Sequence, residues 1–264
     1  MSLYKITSQK LHQMRYAQST INNYLGYISE FESKTNKHHS RLNANDFQNF
    51  IDTYKFSSAS QQNIIINALK FAWKKGLGKK YLKIDFTRPR KQKKLPRVID
   101  AESLAKKIKS IENIKHRAIL QLGLSCGLRI SEVINLKWEH LDRKRNILKV
   151  VNGKGGKDRS TVLNDNMIDI LDMYWREYKS VDYVFNGHKL PKYSASSIQN
   201  ILKKYIDSKE SFHLLRNSYA TFAIDNGTEL KPLSVSLGHE STKTVEKYYF
   251  HQSMRTLKTI KQAI

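Results

Sequence analysis

The chain has 264 residues, of which 39 % are hydrophobic and 27 % are charged, a balance that excludes an intrinsically disordered chain and allows one or two domains. Its single cysteine, Cys126, excludes an intrachain disulfide and a cysteine-rich zinc site. The first ten residues contain no apolar run typical of a signal peptide, and no stretch is long and apolar enough for a transmembrane helix, so we expect a cytoplasmic protein.

The net charge of +24 is placed unevenly along the chain. Residues 1–97 carry 19 basic and 5 acidic residues, whereas residues 98–264 carry 28 and 18. Such an excess repels itself unless a polyanion relieves it, and nucleic acid is the usual polyanion. A basic surface that only maintains solubility is the alternative. A membrane surface is disfavoured, because no helix combines a basic face with a large apolar one.

The first part of the chain predicts short helices. Apolar residues recur at helical spacing in two stretches: Ile21, Tyr24, Leu25, Ile28 and Phe31, then Phe47, Phe50, Ile51 and Tyr54. Ser19 or Thr20 is the expected cap of the first helix, and a third helix follows a serine-rich start and ends at Gly76. No β alternation is present, so residues 1–87 are interpreted as an all-helical domain.

Residues 88–97, RPRKQKKLPR, separate this domain from the rest of the chain. Six of these ten residues are basic and two are proline, and both features oppose a helix. We interpret the segment as an extended linker that lies along a phosphate backbone. Its nucleic-acid-binding candidates are Arg90, Lys91, Lys93 and Lys94. A solvated loop without a ligand is the alternative.

Residues 98–264 predict helices around one hairpin. The segment DAESLAKKIKSI starts a helix with an acidic first turn, and the apolar stretch 116–138 is broken near Gly127, which predicts two helices. In RNILKVVNGKGGKDRSTVLN the spacing changes to alternation around a glycine-rich turn, which predicts a β-hairpin. Three further helices are predicted within residues 166–178, 194–206 and 212–227.

One predicted helix carries two residues suited to phosphate chemistry. His213 and Arg216 lie three positions apart, so a helix places them on one face, where the arginine can bind two phosphate oxygens at once. The opposite stripe is apolar: Leu215, Tyr219 and Phe222. An exposed histidine beside a surface arginine is the alternative explanation for the pair.

Other candidates are spread over the second part of the chain. Arg129 follows the helix break, and Glu132, one turn later, is placed to hold its guanidinium. Lys154 lies between glycines in the hairpin turn, from which a lysine can reach a ligand. His239 follows Gly238, which suits a helix end, and precedes Tyr248 by nine residues. The alternative for Arg129 is an ordinary surface salt bridge, and the alternative for Lys154 is a merely exposed turn lysine.

The candidates form a coherent set when they are taken together: Arg129, Lys154, His213, Arg216, His239 and Tyr248. Fixed cations can stabilise a pentacoordinate phosphorus where other enzymes use Mg²⁺, and they also favour the phenolate of a tyrosine, whose pKa is ordinarily about 10. The sequence shows no clustered carboxylates for two metal ions, so we expect neither a metal nor another cofactor.

These motifs resemble those of the tyrosine recombinase family, which includes the phage integrases and Xer-type recombinases. GLRISE is similar to the first arginine box, GKGGKDR to the hairpin lysine motif, HLLRNSYAT to the His-x-x-Arg box and LGHESTKTVEKY to the last box. The resemblance covers roughly residues 10–264 and fills all six positions in order. Asn217 and Val245 depart from the commonest residues, but neither position carries the chemistry.

The resemblance implies a mainly α fold with a small β-sheet. It also implies a two-domain clamp: a helical DNA-binding core domain over residues 1–87, the linker 88–97, and a catalytic domain over 98–264 with a C-terminal tail helix. The implied partner is double-stranded DNA, bound by a homotetramer on paired sites with a dimer on each site.

The resemblance also implies a role for each catalytic residue. Tyr248 attacks the scissile phosphate and forms a 3′-phosphotyrosine. Arg129 and Arg216 hold the non-bridging oxygens, and His239 adds a hydrogen bond to them. His213 acts as base toward the tyrosine. Lys154 acts as acid toward the departing 5′-oxygen.

Two rival functions differ in outcome. A type IB topoisomerase-like enzyme relaxes DNA by the same chemistry, and the compact size and N-terminal helical domain disfavour it. A DNA-binding protein without activity has no need of six catalytic residues. The sequence leaves open the DNA target and the choice among integration, excision, inversion and dimer resolution.

The neighbouring phenols Tyr248 and Tyr249 give a testable prediction. Spacing from His239 selects Tyr248, although His251 stands two residues after Tyr249, where many family members place a histidine two residues after the nucleophile. We expect Tyr248→Phe to bind DNA normally and form no covalent adduct, and Tyr249→Phe still to form one, because adjacent helical residues point about 100° apart. Peptide mapping of the trapped adduct checks this, and a nucleotide remnant on Tyr249 contradicts it.

Overall fold

The computed structural model describes residues 1–80, 97–151, 158–187 and 190–239, together with Thr242 and Glu246. The chain divides into two compact units, Met1–Lys94 and Leu95–Ile264, and each unit has its own apolar core.

Helices make up the first unit. They are α1 (Leu3–Gln13), α2 (Gln18–Thr35), α3 (Ala44–Thr53) and α4 (Ala59–Phe71), with a 3₁₀ turn at His39–Arg41 and a π-helical turn at Ala72–Gly76. Phe31 lies at the centre, where its ring contacts Phe47 and Phe50. The predicted helices and the predicted stop at Gly76 are confirmed.

The predicted cap of α2 is wrong. The helix begins at Gln18, one residue before Ser19, and Ala17 at the cap position makes no side-chain bond. The carbonyl of Ala17 already accepts the backbone N–H groups of Thr20 and Ile21, so Ser19 and Thr20 lie inside the first turn. In α4, by contrast, Ser58 caps the helix by accepting the N–H of Gln61 at 3.1 Å.

Seven α-helices, a 3₁₀ turn at Trp138–His140 and three strands are described in the second unit. The helices are α5 (Ala101–Lys109), α6 (Ile114–Ser125), α7 (Ile130–Ile134), α8 (Asp165–Tyr178), α9 (Ala195–Tyr205), α10 (His213–Asp225) and α11 (Leu230–Leu237). The strands are β1 (Leu141–Asp142), β2 (Ile147–Val150) and β3 (Arg159–Val162). The predicted fold class, mainly α with a small β-sheet, is confirmed.

The three strands form one antiparallel sheet in the order β1-β2-β3. The predicted hairpin is confirmed, and within it Ile147 pairs with Val162 and Val150 with Arg159. The glycine-rich turn between β2 and β3 lies outside the described residues. The sequence did not indicate β1, because a strand of two residues is too short to show alternation.

The apolar core of the second unit surrounds α6, which contacts α5, α8 and α10. The predicted break after this helix is confirmed at Gly127, whose φ of +62° is a left-handed conformation that favours glycine. A Cβ at Gly127 would lie 2.7 Å from Tyr219 Cδ1 and 2.9 Å from Leu237 Cδ2. The break therefore also lets α10 and α11 approach the end of α6.

Two expectations concern the chain beyond these elements. No helix within the described ranges is long and apolar enough to cross a membrane. The predicted C-terminal tail helix and most of the predicted linker 88–97 lie outside the described residues.

Two helical glycines provide a matched test of the core. A Cβ at Gly123 in α6 would lie 2.7 Å from Phe212 Cζ and 2.9 Å from Leu215 Cδ1, whereas a Cβ at Gly26 in α2 meets nothing within 4 Å. Both replacements by alanine gain helix propensity, so their difference isolates the packing cost. We expect Gly26→Ala to raise the free energy of unfolding of its unit by about 0.5–1 kcal/mol.

Gly123→Ala should lower the free energy of unfolding of the second unit. Its neighbours Phe212 and Leu215 are both buried, and overpacking of a core costs about 1–3 kcal/mol. Chemical denaturation measures both values. A Gly123→Ala variant as stable as the parent would show that Phe212 and Leu215 yield freely.

Candidate active site

The C-terminus of α11 binds three arginines. The main-chain carbonyl of Ser236 accepts from Arg159, that of Leu237 accepts from Arg216, and that of Gly238 accepts from Arg129 Nη2 at 3.1 Å. The last carbonyls of a helix have no partner within the helix and carry the negative end of its dipole. Three consecutive carbonyls therefore gather three guanidinium groups from three other elements.

Gly238 forms the turn that ends α11. Its φ of +62° is left-handed, and its N–H returns to the carbonyl of Val235 at 2.9 Å, so the predicted helix stop is confirmed. A Cβ at this position would lie 2.7 Å from Arg159 Cδ. The turn places His239 directly after the three carbonyls, and the N–H of His239 is held by the carbonyl of Ser234 at 3.0 Å.

Arg129 stands at the start of α7 and is held by Glu132. Glu132 accepts the backbone N–H of Arg129 at 2.7 Å and its Nη1 at 2.7 Å. The predicted pairing of the two residues is confirmed. The side chain of Arg129 stays 19 % exposed, whereas that of Glu132 is 5 % exposed. A buried carboxylate thus fixes a guanidinium that still reaches the surface.

Arg216 projects from α10 into the interior and is only 1 % exposed. Its Nη1 donates to the carbonyl of Gly127 at 2.7 Å, and its Nη2 lies 3.0 Å from His239 Nε2. Because an arginine only donates, Nε2 of His239 accepts here, which assigns the ring proton to Nδ1. Nδ1 is buried and has no hydrogen-bond partner among the described residues.

Both histidines of the site are neutral at pH 7. Burial is the main cause that lowers the pKa of His239 to about 4, and basic neighbours add to it: Arg216, Arg129, His213 and Arg159. His213, the exposed first residue of α10, also has a lowered pKa, through desolvation first and then the charges of Arg216 and Arg129. A neutral imidazole can accept a proton.

The predicted apolar stripe on α10 is partly wrong. Leu215 is buried and Tyr219 half-buried, but Phe222 is 45 % exposed. The helix is buried on several sides, and four of its polar residues point inward: Arg216, Asn217, Ser218 and Thr221. Helical spacing alone predicts apolar residues at buried positions, whereas α10 has Arg216 and three other polar residues there.

Arg159 is the last residue of the motif GKGGKDR, but the sequence indicated no role for it. This residue opens β3, its side chain is 4 % exposed, and its Nη2 lies 2.7 Å from Glu132 Oε2. Alternation was the available signal: Arg159 shares a strand face with Thr161, which is buried, whereas Val162 on the other face is 60 % exposed. An arginine on an inward face requires acceptors.

One carboxylate, that of Glu132, offsets part of the positive charge of the cluster. Burial alone would raise the pKa of Glu132, but Arg159, and then the backbone N–H and side chain of Arg129, outweigh it and hold the pKa below its usual range. Glu132 is therefore ionised at neutral pH, as a partner of two guanidinium groups must be.

Of the six predicted catalytic residues, the structure describes four: Arg129, His213, Arg216 and His239. It brings the two arginines and His239 together around the end of α11, with His213 close enough to be influenced by both arginines. The other two, Lys154 and Tyr248, lie outside the described residues, as do Arg90, Lys91, Lys93 and Lys94.

Comparison with known families defines the class of this chain. The model of the phage integrase family matches residues 97–255, and that of the phage integrase N-terminal SAM-like domain matches residues 3–83. The chain belongs to the phage integrase family and is a tyrosine recombinase, as the motifs indicated.

Curated relatives and solved structures extend this result. Tyrosine recombinase XerA of Pyrococcus horikoshii is 28 % identical over 94 % of this chain and 87 % of that protein, and XerA of Pyrococcus furiosus is 31 % identical over 76 % and 72 %. XerH recombinase bound to palindromic difH substrate shares the fold, with a TM-score of 0.72 at 20 % identity over 91 % and 79 %. Tn1549 transposon integrase in complex with transposon right end DNA also shares the fold, with a TM-score of 0.67 at 15 % identity over 98 % of this chain and 99 % of that one.

The half-buried His239 makes stability depend on pH in one direction. An unfolded histidine titrates near pH 6.5, whereas the folded pKa is about 4, so between these values the unfolded chain binds the proton more strongly. The contribution of His239 is therefore intact above pH 6.5 and lost as the pH falls toward 4, by at most ~3 kcal/mol.

His239→Gln removes this titration and keeps an acceptor for Arg216. Urea unfolding of the second unit at a series of pH values should show a shallower loss for the variant between pH 6.5 and 4. Equal losses in the two proteins would contradict a depressed pKa at His239.

Proposed function

We propose that this protein is a site-specific DNA recombinase that cuts and rejoins strands through a 3′-phosphotyrosine at Tyr248, without metal or ATP. The observation that carries the proposal is the cluster of Arg129, Arg216 and His239 at the end of α11, nine residues before Tyr248. Membership of the phage integrase family supports it.

Double-stranded DNA is the proposed partner. The net charge of +24 favours binding to a polyanion. XerH and the Tn1549 integrase, which share this fold, have structures in complex with DNA. Residues 1–87 would bind DNA as a core domain, and the linker 88–97 would follow the phosphate backbone through Arg90, Lys91, Lys93 and Lys94. A tetramer on paired sites would then bring two duplexes together, with a dimer on each site and the C-terminal tail of one subunit packed on the next.

Arg129 and Arg216 would bind the non-bridging oxygens of the scissile phosphate. A guanidinium offers five N–H donors in a fixed plane, so it can bind protein acceptors and a phosphate at the same time. Arg129 uses Nη1 for Glu132 and Nη2 for Gly238 and remains partly exposed. His239 Nδ1–H, without a partner among the described residues, would add a third hydrogen bond.

The reaction then needs two proton transfers and no external energy. His213, kept neutral by its surroundings, would take the proton of Tyr248 as its oxygen attacks phosphorus. The bond from phosphorus to the 5′-oxygen breaks, and Lys154 would protonate that oxygen. A 5′-hydroxyl of another strand reverses the step. The phosphotyrosine retains the energy of the bond that is cleaved, so no ATP is consumed.

Fixed cations would replace the metal ions that other phosphoryl-transfer enzymes use. The charge that develops on the pentacoordinate phosphorus is met by Arg129 and Arg216, which are already oriented before DNA binds. This preorganisation avoids the cost of arranging the donors during the reaction.

A covalent adduct formed in the presence of EDTA tests the proposal. The preferred duplex is first selected by binding from a random-sequence pool, and nicks are then placed at each position in turn, so that cleavage next to a nick releases a short fragment and traps the adduct. We expect a denaturant-resistant adduct in EDTA, because the protein supplies the cations.

The products decide among the rival functions. Two labelled selected sites should yield recombinant products. Loss of the adduct in EDTA contradicts the metal-independent mechanism, relaxation of a supercoiled plasmid without recombinants indicates a topoisomerase-like enzyme, and binding without any adduct indicates a protein that only binds DNA.

A further inference from the structure

Arg159 connects three parts of the active site. From β3 its Nη2 donates to Glu132 on α7 at 2.7 Å, and its Nη1 donates to the carbonyl of Ser236 at the end of α11. The same strand is fixed to the end of α6, because Thr161 Oγ1 donates to the carbonyl of Cys126 at 3.1 Å. One inward-facing strand therefore holds both elements that carry Arg129 and His239.

The two oxygens of Glu132 divide between two arginines. Oε1 accepts Arg129 Nη1, and Oε2 accepts both the backbone N–H of Arg129 and Arg159 Nη2. Without Arg159 the carboxylate would keep only Arg129 as a cationic partner. Its position in the site, and that of the guanidinium it holds, would then no longer be tied to β3.

We propose that Arg159 is a positioning residue for DNA cleavage, which acts through Glu132 on Arg129 and through Ser236 on the turn that carries His239. This inference rests on the proposed function. Its guanidinium bridges two acceptors on different elements, a geometry that suits the planar fork of arginine and not the single ammonium of lysine. The tight contact with Gly238, where a Cβ would meet Arg159 Cδ at 2.7 Å, fixes the same turn from a second side.

Arg159→Lys separates charge from geometry. The lysine keeps a cation beside Glu132 but lacks the planar fork with which arginine binds Glu132 and the carbonyl of Ser236 together. We expect the rate of adduct formation on the selected, nicked duplex to fall by about tenfold to a hundredfold at saturating DNA, because small misplacements of catalytic groups cost this much. The Kd for the same duplex should stay within about twofold, since most of the proposed phosphate contacts lie elsewhere.

Arg143→Lys is the matched control. Arg143 pairs with Asp172 at 2.6 Å in the same unit and has no part in the cluster. Its cleavage rate should be unchanged. An Arg159→Lys variant that cleaves at the parent rate overturns the inference.

The pH profile distinguishes positioning from a general loss of structure. Two arginines face the carboxylate of Glu132: Arg159 on β3 and Arg129 at the start of α7. Both lower the pKa of Glu132, so removing Arg159 raises it. In Arg159→Met the acid limb of the cleavage rate should therefore move to higher pH. In the double variant Glu132→Gln, Arg159→Met this displacement should shrink, because the carboxylate is gone and only His239, whose pKa Arg159 also lowers, still responds to the loss of the arginine.

The double variant also protects the test against misfolding, since it leaves no buried carboxylate that has lost one of its two cationic partners. The cleavage rate of the double variant should be no lower than that of the slower of the two single variants, Glu132→Gln and Arg159→Met. Additive losses, or an acid limb that does not move, would assign Arg159 to direct contact with DNA or to stability alone. Arg129→Ala serves as the reference: if it cleaves normally, the proposed function fails, whereas a normal Arg159→Met beside a defective Arg129→Ala rejects only the role of Arg159.

Discussion

The active site depends on how a helix ends. Arginine side chains repel one another, and the cluster at the end of α11 contains three of them with two histidines nearby. Three terminal carbonyls of α11 and the carboxylate of Glu132 offset this repulsion. The compensation is incomplete in charge, because carbonyls contribute only partial negative charge. The scissile phosphate of the proposed function would supply further negative charge.

The break between α6 and α7 makes this arrangement possible. The left-handed turn at Gly127 presents its carbonyl to Arg216 and starts α7 at Arg129, so one interruption in an apolar stretch serves two arginines. Tyr219 and Leu237 pack so closely on Gly127 that a side chain there would displace both. Apolar packing and cation placement are thus one constraint in this part of the fold.

Local patterns predicted the elements and most of the described site. Helical spacing predicted α2, α3 and the helices from α5 to α10, but it did not predict α1 or α11. The pairing of Glu132 with Arg129 followed from a separation of three residues. Motif order predicted which residues would meet. The prediction of the cap of α2 was wrong, because backbone hydrogen bonds to the carbonyl of Ala17 start the helix before Ser19 and Thr20.

Tertiary contacts explain what the sequence did not predict. Phe222 lies exposed because α10 turns polar residues inward, toward partners that come from distant parts of the chain. Arg159 was overlooked because a strand of four residues gives a weak alternation, and its partners on α7 and α11 are separated from it by 27 and 77 positions. No local window contains that information.

The anchoring of arginines by main-chain carbonyls also bears on how such a site can vary. Every amino acid offers the same carbonyl, so the side chain at position 236 can change without altering the acceptor that Arg159 uses, whereas Leu237 is also fixed by its buried contact with Gly127. What must persist is the length of α11 and the turn at Gly238. An insertion of one residue in this helix would rotate every acceptor by about 100° and shift it by about 1.5 Å. Sequence drift is therefore tolerated where a change of register is not.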